Sequence, residues 1–162
     1  MAADPVPAPD IQLRPITPAD LDFLRGVYRS SREAELEIVP WTPEQKDAFI
    51  EHQFSAQHAW YQEHYTGAAF DVVMVDGQPA GRLYVHRGPR EIRLVDIALL
   101  AEFRNRGIGT ALMRDLMAEC AASGRSLTIH VELFNPARGL YERLGFAALE
   151  EKGPYVLMEW RP

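Results

Sequence analysis

Between residues 104 and 110 the chain reads Arg104-Asn105-Arg106-Gly107-Ile108-Gly109-Thr110, where a strand pattern gives way to a helical one. The first turn of a helix carries unpartnered backbone N–H groups and the positive end of the helix dipole, which together make an anion site. Gly107 and Gly109 let a ligand approach the backbone closely, and Arg104 and Arg106 add charge suited to phosphate. Further on, His130 and Glu132 share the polar face of an alternating strand, and an imidazole is the side chain best placed to exchange a proton near neutral pH. Asp96 stands in the apolar run Leu94-Val95-Asp96-Ile97, where a carboxylate is either functional or hydrogen-bonded into the structure. Gln53, Gln57, Tyr61 and Tyr65 recur every four residues and fall on one helix face. That stripe is either a substrate surface or an ordinary amphipathic one. Arg82 and Tyr84 face one way on a strand and suit a substrate carboxylate. Glu33, Glu35 and Glu37 either attract a cation or lie on a solvated loop. His52, His58 and His64 are six apart, not three or four, so no metal site is expected.

The elements that position these groups follow from periodicity and punctuation. Ile11 to Arg14 reads as a short strand. Thr17-Pro18-Ala19-Asp20 has the residues of a helix start, and that helix runs to about Ser30 before a polar loop. Thr42-Pro43-Glu44-Gln45 is a capping box opening a helix to about Tyr65. Three strands follow, 69–75, 81–86 and 91–100, the first two joined by the hairpin dipeptide Asp76-Gly77. A helix over 107–123 places apolar residues at 108, 112, 116 and 120 and at 113, 117 and 121, a wide buried stripe, and Gly124 caps it. Leu127 to Leu133 alternates as a strand with one face in the core. A short helix at 136–144 and two strands at 146–149 and 154–160 complete the chain. The helix between 91–100 and 127–133 is a crossover, so those two strands run parallel, whereas the hairpins are antiparallel. The expected fold is a mixed, mostly antiparallel α/β sheet of six or seven strands with helices on both faces, in the order β-α-α-β-β-β-α-β-α-β-β.

Length and charge bound the rest. The chain has 162 residues, 47% of them apolar and 25% charged, ordinary globular usage for one domain. We read residues 1–10 as a flexible Ala/Pro-rich lead and 11–162 as a single domain. The net charge of −6 argues against nucleic acid as a partner, and no apolar run is long enough to span a bilayer. Residues 1–81 carry 5 basic and 13 acidic groups, and residues 82–162 carry 12 and 10. An anionic ligand is therefore expected on the second half and a cationic one near the first. Cys120 is the only cysteine, which excludes an internal disulfide and fits a reducing compartment. The start of the chain has neither the basic nor the apolar region of a signal peptide, so a cytoplasmic protein is expected.

A dinucleotide-binding reading of the glycine loop meets two obstacles. Leu112 stands where the third glycine belongs, and the preceding strands are hairpins, although Glu132 lies at a suitable distance. The segment Arg104-x-x-Gly107-x-Gly109 instead resembles the acetyl-CoA motif of the GCN5-related N-acetyltransferase (GNAT) superfamily. Leu13-Arg14-Pro15-Ile16-Thr17-Pro18-Ala19-Asp20 is similar to that family's first strand and helix start. Gly81 lies in a position common before its third strand. Asn135-Pro136-Ala137-Arg138-Gly139-Leu140-Tyr141-Glu142-Arg143-Leu144-Gly145-Phe146 resembles its C-terminal motif, though Ala137 follows Asn135 by two residues where many members have three.

The resemblance implies acetyl transfer from acetyl-CoA directly to a primary amine, of a small molecule or of a protein or peptide, without a metal or a covalent enzyme intermediate. The pyrophosphate would lie on the amides of 104–110, with Ile108 and Thr110 in that segment and with Asn135 and Arg138 as further contacts. The pantetheine arm would run beside Leu99, Leu100 and Ala101, whose backbone N–H groups polarise the thioester carbonyl. Tyr141 matches the tyrosine that serves as general acid at the sulfur. His130, counted from Asn135, matches a base position, with Glu132 and Asp96 as further carboxylate candidates. Glu35, Gln57, Tyr61, Arg82 and Tyr84 are the expected acceptor-pocket residues. A homodimer also fits the family. A module of the same fold that binds acyl-CoA without turnover is the alternative.

Overall fold

A computed structural model describes residues 8–162. The lead expected over 1–10 lies outside them except for its last three residues, and Asp10 exchanges two hydrogen bonds with Asp76 at the first hairpin turn. The elements are β1 (Ile11–Pro15), α1 (Leu21–Glu37), α2 (Pro43–His64), β2 (Ala69–Val75), β3 (Gln78–Arg87), β4 (Glu91–Leu99), α3 (Ile108–Ser123), β5 (Ser126–Glu132), α4 (Ala137–Arg143), β6 (Ala147–Lys152) and β7 (Tyr155–Trp160). They form one sheet of seven strands in the order β1-β2-β3-β4-β5-β7-β6. Every pairing is antiparallel except β4 with β5. The expected order and mixed sheet are both observed. No helix among the described residues is long and apolar enough to cross a membrane.

Local chemistry explains most boundaries. At residues 18–20 the first turn is a 3-10 helix, held by Asp20. Its carboxylate accepts from the Thr17 amide at 2.7 Å and takes a bidentate pair from Arg14 at 2.9 Å. The Thr42 capping box forms as expected, with reciprocal bonds to Gln45 of 2.9 and 3.2 Å. Asp76 and Gly77 both adopt positive φ, as the two-residue hairpin demands.

The largest departure is α1, which continues seven residues past Ser30 to Glu37. Residues 31–37 hold no glycine or proline, consist mostly of good helix formers, and include Leu36, which is buried against α2. Glu33, Glu35 and Glu37 thus sit on a helix, not on a loop. Strand β3 also starts earlier than expected, at Gln78, so Gly81 lies inside it.

The larger core lies between the sheet and α3. Ile108, Leu112, Met113, Leu116 and Cys120 pack there with Val73, Val85, Ile92, Leu94, Leu127 and Ile129. The 108-112-116-120 row is fully buried, while Ala121 from the adjacent row is exposed. Each buried aliphatic side chain of this kind contributes roughly 1.5–3 kcal/mol on leaving water. On the opposite side α1 and α2 enclose a smaller cluster of Leu24, Tyr28, Leu36, Ile50 and Phe54. Arg29 to Asp47 at 2.5 Å and Arg25 to Glu51 tie the two helices together.

Two backbone features shape the middle of the sheet. Leu94 pairs with Val85 and Asp96 with Tyr84, leaving Val95 as an extra residue in β4. Such a bulge bends its strand and turns the following side chains. The parallel ladder between β4 and β5 ends at that point, with Leu94↔Ile129 as its last pair. The second feature is Gly81, opposite Leu99. A Cβ there would press into the Ala98 carbonyl oxygen and come within 2.9 Å of the Leu99 Cα. Gly81→Ala should therefore lower stability by about 3 kcal/mol; urea denaturation measures it, and a loss below the scatter of the assay would show that β3 and β4 can part at no cost.

Candidate active site

Beyond Leu94, β4 pairs only with β3, and beyond Ile129, β5 pairs only with β7. The two strands part, and a cavity of about 340 Å³ opens between them and α1–α2. His130 and Glu132 stand on the face of β5 that meets this cavity, and the bulge brings Asp96 to the same side. The bend that ends the ladder thus also delivers the carboxylate.

Asp96 is the hub of the inner wall. Its Oδ2 accepts from the Tyr61 hydroxyl at 2.9 Å and from Arg82 at 2.8 Å. Arg82 also donates to Gln57 Oε1 at 2.9 Å and lies over the Tyr84 ring at 5.3 Å. The Arg82 side chain is 4% exposed and that of Asp96 14%. Gln57, Tyr61, Arg82 and Tyr84, expected as separate acceptor contacts, therefore form one buried polar assembly around a catalytic candidate. Arg82 is committed to Asp96, not held open for a substrate carboxylate. Burial and the Asp96 charge push the Tyr61 phenol far above its ordinary range, so it stays a donor.

The outer wall comes from β5 and α1. Glu132 accepts from Arg32 at 3.2 Å, and Arg32 also pairs with Glu35 at 3.1 Å and lies 5.7 Å over the Tyr28 ring. A helix ending near Ser30 gives no sign of Arg32, which the observed α1 carries to the cavity. Continued by one turn, the pattern places Tyr28, Ser31, Arg32 and Glu35 on one face at i, i+3, i+4 and i+7, and all four line the cavity. His130 faces Arg93, whose guanidinium lies 3.2 Å from Nδ1. Since a guanidinium only donates, Nδ1 is the acceptor and Nε2 carries the proton. Burial, then Arg93 and Lys152, lower the affinity of this imidazole for a second proton. Arg93 reaches Thr128 as well, at 2.7 Å, so β4 and β5 are cross-linked by side chains just before they separate.

Tyr141 projects from α4, buried, with its ring 5.7 Å from that of Phe146. Its hydroxyl has no hydrogen-bond partner among the described residues and lies on the cavity. Burial, then the Asp96 charge, push it up to about 12, so it is protonated at neutral pH. Asn135 Oδ1 accepts from the Ala137 amide at 2.9 Å, starting α4, and Arg138 pairs with Glu142 at 3.1 Å. Both side chains are engaged within the helix region where the resemblance placed cofactor contacts.

The glycine loop has the predicted form. Asn105 and Gly107 adopt positive φ, and the first helical bond of α3 runs from the Ala111 amide to the Gly107 carbonyl. The amides of Ile108, Gly109 and Thr110 precede it and have no helical acceptor. A Cβ at Gly107 or Gly109 would meet nothing within 4 Å, so the space over these amides is open. The backbone fits a pyrophosphate. The arginines do other work: Arg104 donates to the Leu99 carbonyl at 2.9 Å and to Ser30 at 3.1 Å, pinning the loop to β4 and α1. Arg106 lies 5.4 Å over the Phe103 ring. The Leu100 amide donates to the Ala80 carbonyl at 2.8 Å and is spent within the sheet, while Ala101 opens the 3-10 turn that leads to the loop.

Residues 29–146 match the profile of the Acetyltransferase (GNAT) family, and the chain belongs to that family. Its fold is shared with solved acetyltransferases. The PaiA N-acetyltransferase of Thermoplasma acidophilum, in complex with coenzyme A, is 19% identical with a TM-score of 0.70, over 94% of this chain and 99% of that one. An acetyltransferase of Thermus thermophilus is 21% identical with a TM-score of 0.68, over 94% and 97%. Arabidopsis thaliana Naa50, bound to the bisubstrate analogue CoA-Ac-MVNAL, is 13% identical with a TM-score of 0.58, over 94% and 99%. No curated protein matches the sequence significantly.

The Asp96 assembly yields a stability prediction. Removing one partner of a buried pair leaves the other charge uncompensated, at a cost of about 3–5 kcal/mol. Arg82→Ala should lose about that much in urea denaturation. Arg82→Met combined with Asp96→Leu should recover most of it, and a double variant no better than the single one would show that the pair is not coupled.

Proposed function

We propose that this protein transfers the acetyl group of acetyl-CoA to a primary amine, with residues 11–162 acting as one catalytic domain. The observation that carries the reading is the parting of β4 and β5, with free helix amides at one end and Asp96, His130, Glu132 and Tyr141 around the opening. Acetyl-CoA supplies the thioester whose acyl carbon the amine attacks. The amides of Ile108, Gly109 and Thr110 would hold its pyrophosphate. The edge of β4 from Val95 to Leu99, which has no partner on the β5 side, would take the pantetheine arm.

Three groups of this chain then act at the opening. Asp96 and Glu132 present carboxylates to an incoming ammonium. His130, held neutral at pH 7 by its surroundings, takes the ammonium proton directly or through a water, once Arg93 yields the Nδ1 lone pair. The protonated Tyr141 phenol donates to the departing sulfur, and the phenolate so formed recovers the second proton from the nitrogen, leaving a neutral amide and CoA thiol. Electrostatic placement and these proton transfers are the contributions required of the protein.

Full-length protein should be stabilised against heat by acetyl-CoA and not by NAD, in line with mass action on the native state. It should then release CoA thiol in the presence of some amine. Tyr141→Phe should lower kcat by about 10²-fold or more with stability retained; an unchanged kcat removes the acid role. Stabilisation by acetyl-CoA without turnover of any amine would identify an acyl-CoA-binding module instead.

The pH dependence follows from His130. Its folded-state proton affinity lies below the ordinary histidine value of 6.5, so the active neutral form persists above that value and is lost only as the pH falls beneath it. The same shift means that any stability linked to His130 is present above pH 6.5 and declines on acidification through the lower folded value. His130→Ala should abolish the acidic limb of the kcat/KM profile, and a profile of unchanged shape would exclude His130 as the base.

A further inference from the structure

A second cavity, of about 470 Å³, lies between α2 and the β6–β7 hairpin. Gln57, Tyr61, Val95, His130 and Tyr155 are walls of both this chamber and the polar cleft, so the two spaces are continuous. They differ in charge and in what lies at their outer ends. Trp60 and Tyr65 line the chamber alone, Tyr155 stands where it meets the cleft, and the chamber has no carboxylate among its lining residues, whereas the cleft carries Glu35, Asp96 and Glu132. Trp60 is 47% exposed and Tyr155 42% exposed, although they come from elements more than ninety positions apart in sequence. Large aromatic surfaces that converge on one volume without entering a core are the features of a ligand pocket. Trp60 is braced from behind, its ring stacked on His64 at a centroid distance of 4.2 Å and edge-on to Tyr65 at 5.8 Å.

Charge gives the pair of cavities a direction. Among the described residues, the one charged side chain lining the chamber is Lys152, a cation that lies 3.8 Å from Glu150, so nothing in the chamber's lining attracts an ammonium. In the cleft three carboxylates face two arginines, Arg32 and Arg82, so a cation is drawn inward past Tyr61 and His130. An occupant that satisfies both spaces has a planar apolar ring outside and an ammonium inside, joined by a short linker.

We infer that the acceptor is a small arylalkylamine, its ring held between Trp60, Tyr65 and Tyr155 and its amine delivered to Asp96 and His130. This rests on the acetyl-transfer reading, and the test separates the two. Initial rates of CoA release are measured for the full chain with acetyl-CoA and tryptamine, phenethylamine, n-hexylamine or spermidine, alongside calorimetric titration of tryptamine. An aromatic contact of this kind favours the ring-bearing amines by ~10-fold in kcat/KM over n-hexylamine. Trp60→Ala should bring that ratio close to one, and Trp60→Phe, which keeps a ring on the same stack, should retain most of it.

Equal or faster turnover of n-hexylamine or spermidine would overturn the arylalkylamine assignment and leave acetyl transfer intact. If no amine turns over, acetyl transfer fails and calorimetry decides the rest. Tryptamine binding that Trp60→Ala abolishes supports the aromatic chamber, and absence of tryptamine binding overturns it.

Discussion

Val95 has no counterpart on β3, and the geometry of the whole centre of the molecule turns on that extra residue. With one residue too many between Leu94 and Asp96, β4 bends out of the plane it shares with β5, and the parallel ladder stops. A regular strand would continue the ladder and close the opening that now lies above His130 and Glu132. The same bend turns Asp96 onto the face that holds Arg82 and Tyr84, where its carboxylate accepts from Tyr61 and Arg82. Opening a sheet removes hydrogen bonds from both strands, and the cost is contained by cross-links on either side of the gap. Arg93, Thr128 and His130 join the strands just before it. Beyond the gap β4 is held from its other side, where Gly81 lets β3 approach it closely.

The outer helices are organised around the same gap. Helix α1 reaches it through Arg32, which grips Glu132 on β5, and through Ser30, which receives Arg104 from the glycine loop. Helix α2 reaches it through Gln57 and Tyr61. One helical layer therefore touches the glycine loop, β5 and the Asp96 assembly at once. The tight pairs between α1 and α2, Arg25 with Glu51 and Arg29 with Asp47, keep those three contacts in a fixed relation.

Much of this was legible in the chain. The capping box at Thr42, the hairpin at Asp76-Gly77 and the buried row from Ile108 to Cys120 are local signals, and each formed where its chemistry placed it. The Arg-x-x-Gly-x-Gly segment marked the start of α3, because glycine at positive φ is what opens the helix there. What escaped notice depended on partners distant in sequence. Arg82 looked available for a ligand until β4 brought Asp96 beside it. His130 looked like a free imidazole until the parallel register set Arg93 against its Nδ1. Arg32 is hidden for a different reason: polarity alone suggests a loop over 31–37, whereas the absence of glycine and proline and the helix propensity of these residues favour continuing the helix.

Cys120 closes the row on α3 and is fully buried beneath the sheet, and burial also pushes its thiol up, so the reactive thiolate is scarce. As the chain's one cysteine, it gives the native protein no accessible sulfhydryl. A thiol-reactive chromophore added to the folded protein therefore reads sulfhydryl produced by turnover, against a background close to zero. On unfolding, each chain contributes a single equivalent, so the same reagent also counts molecules that have lost their core.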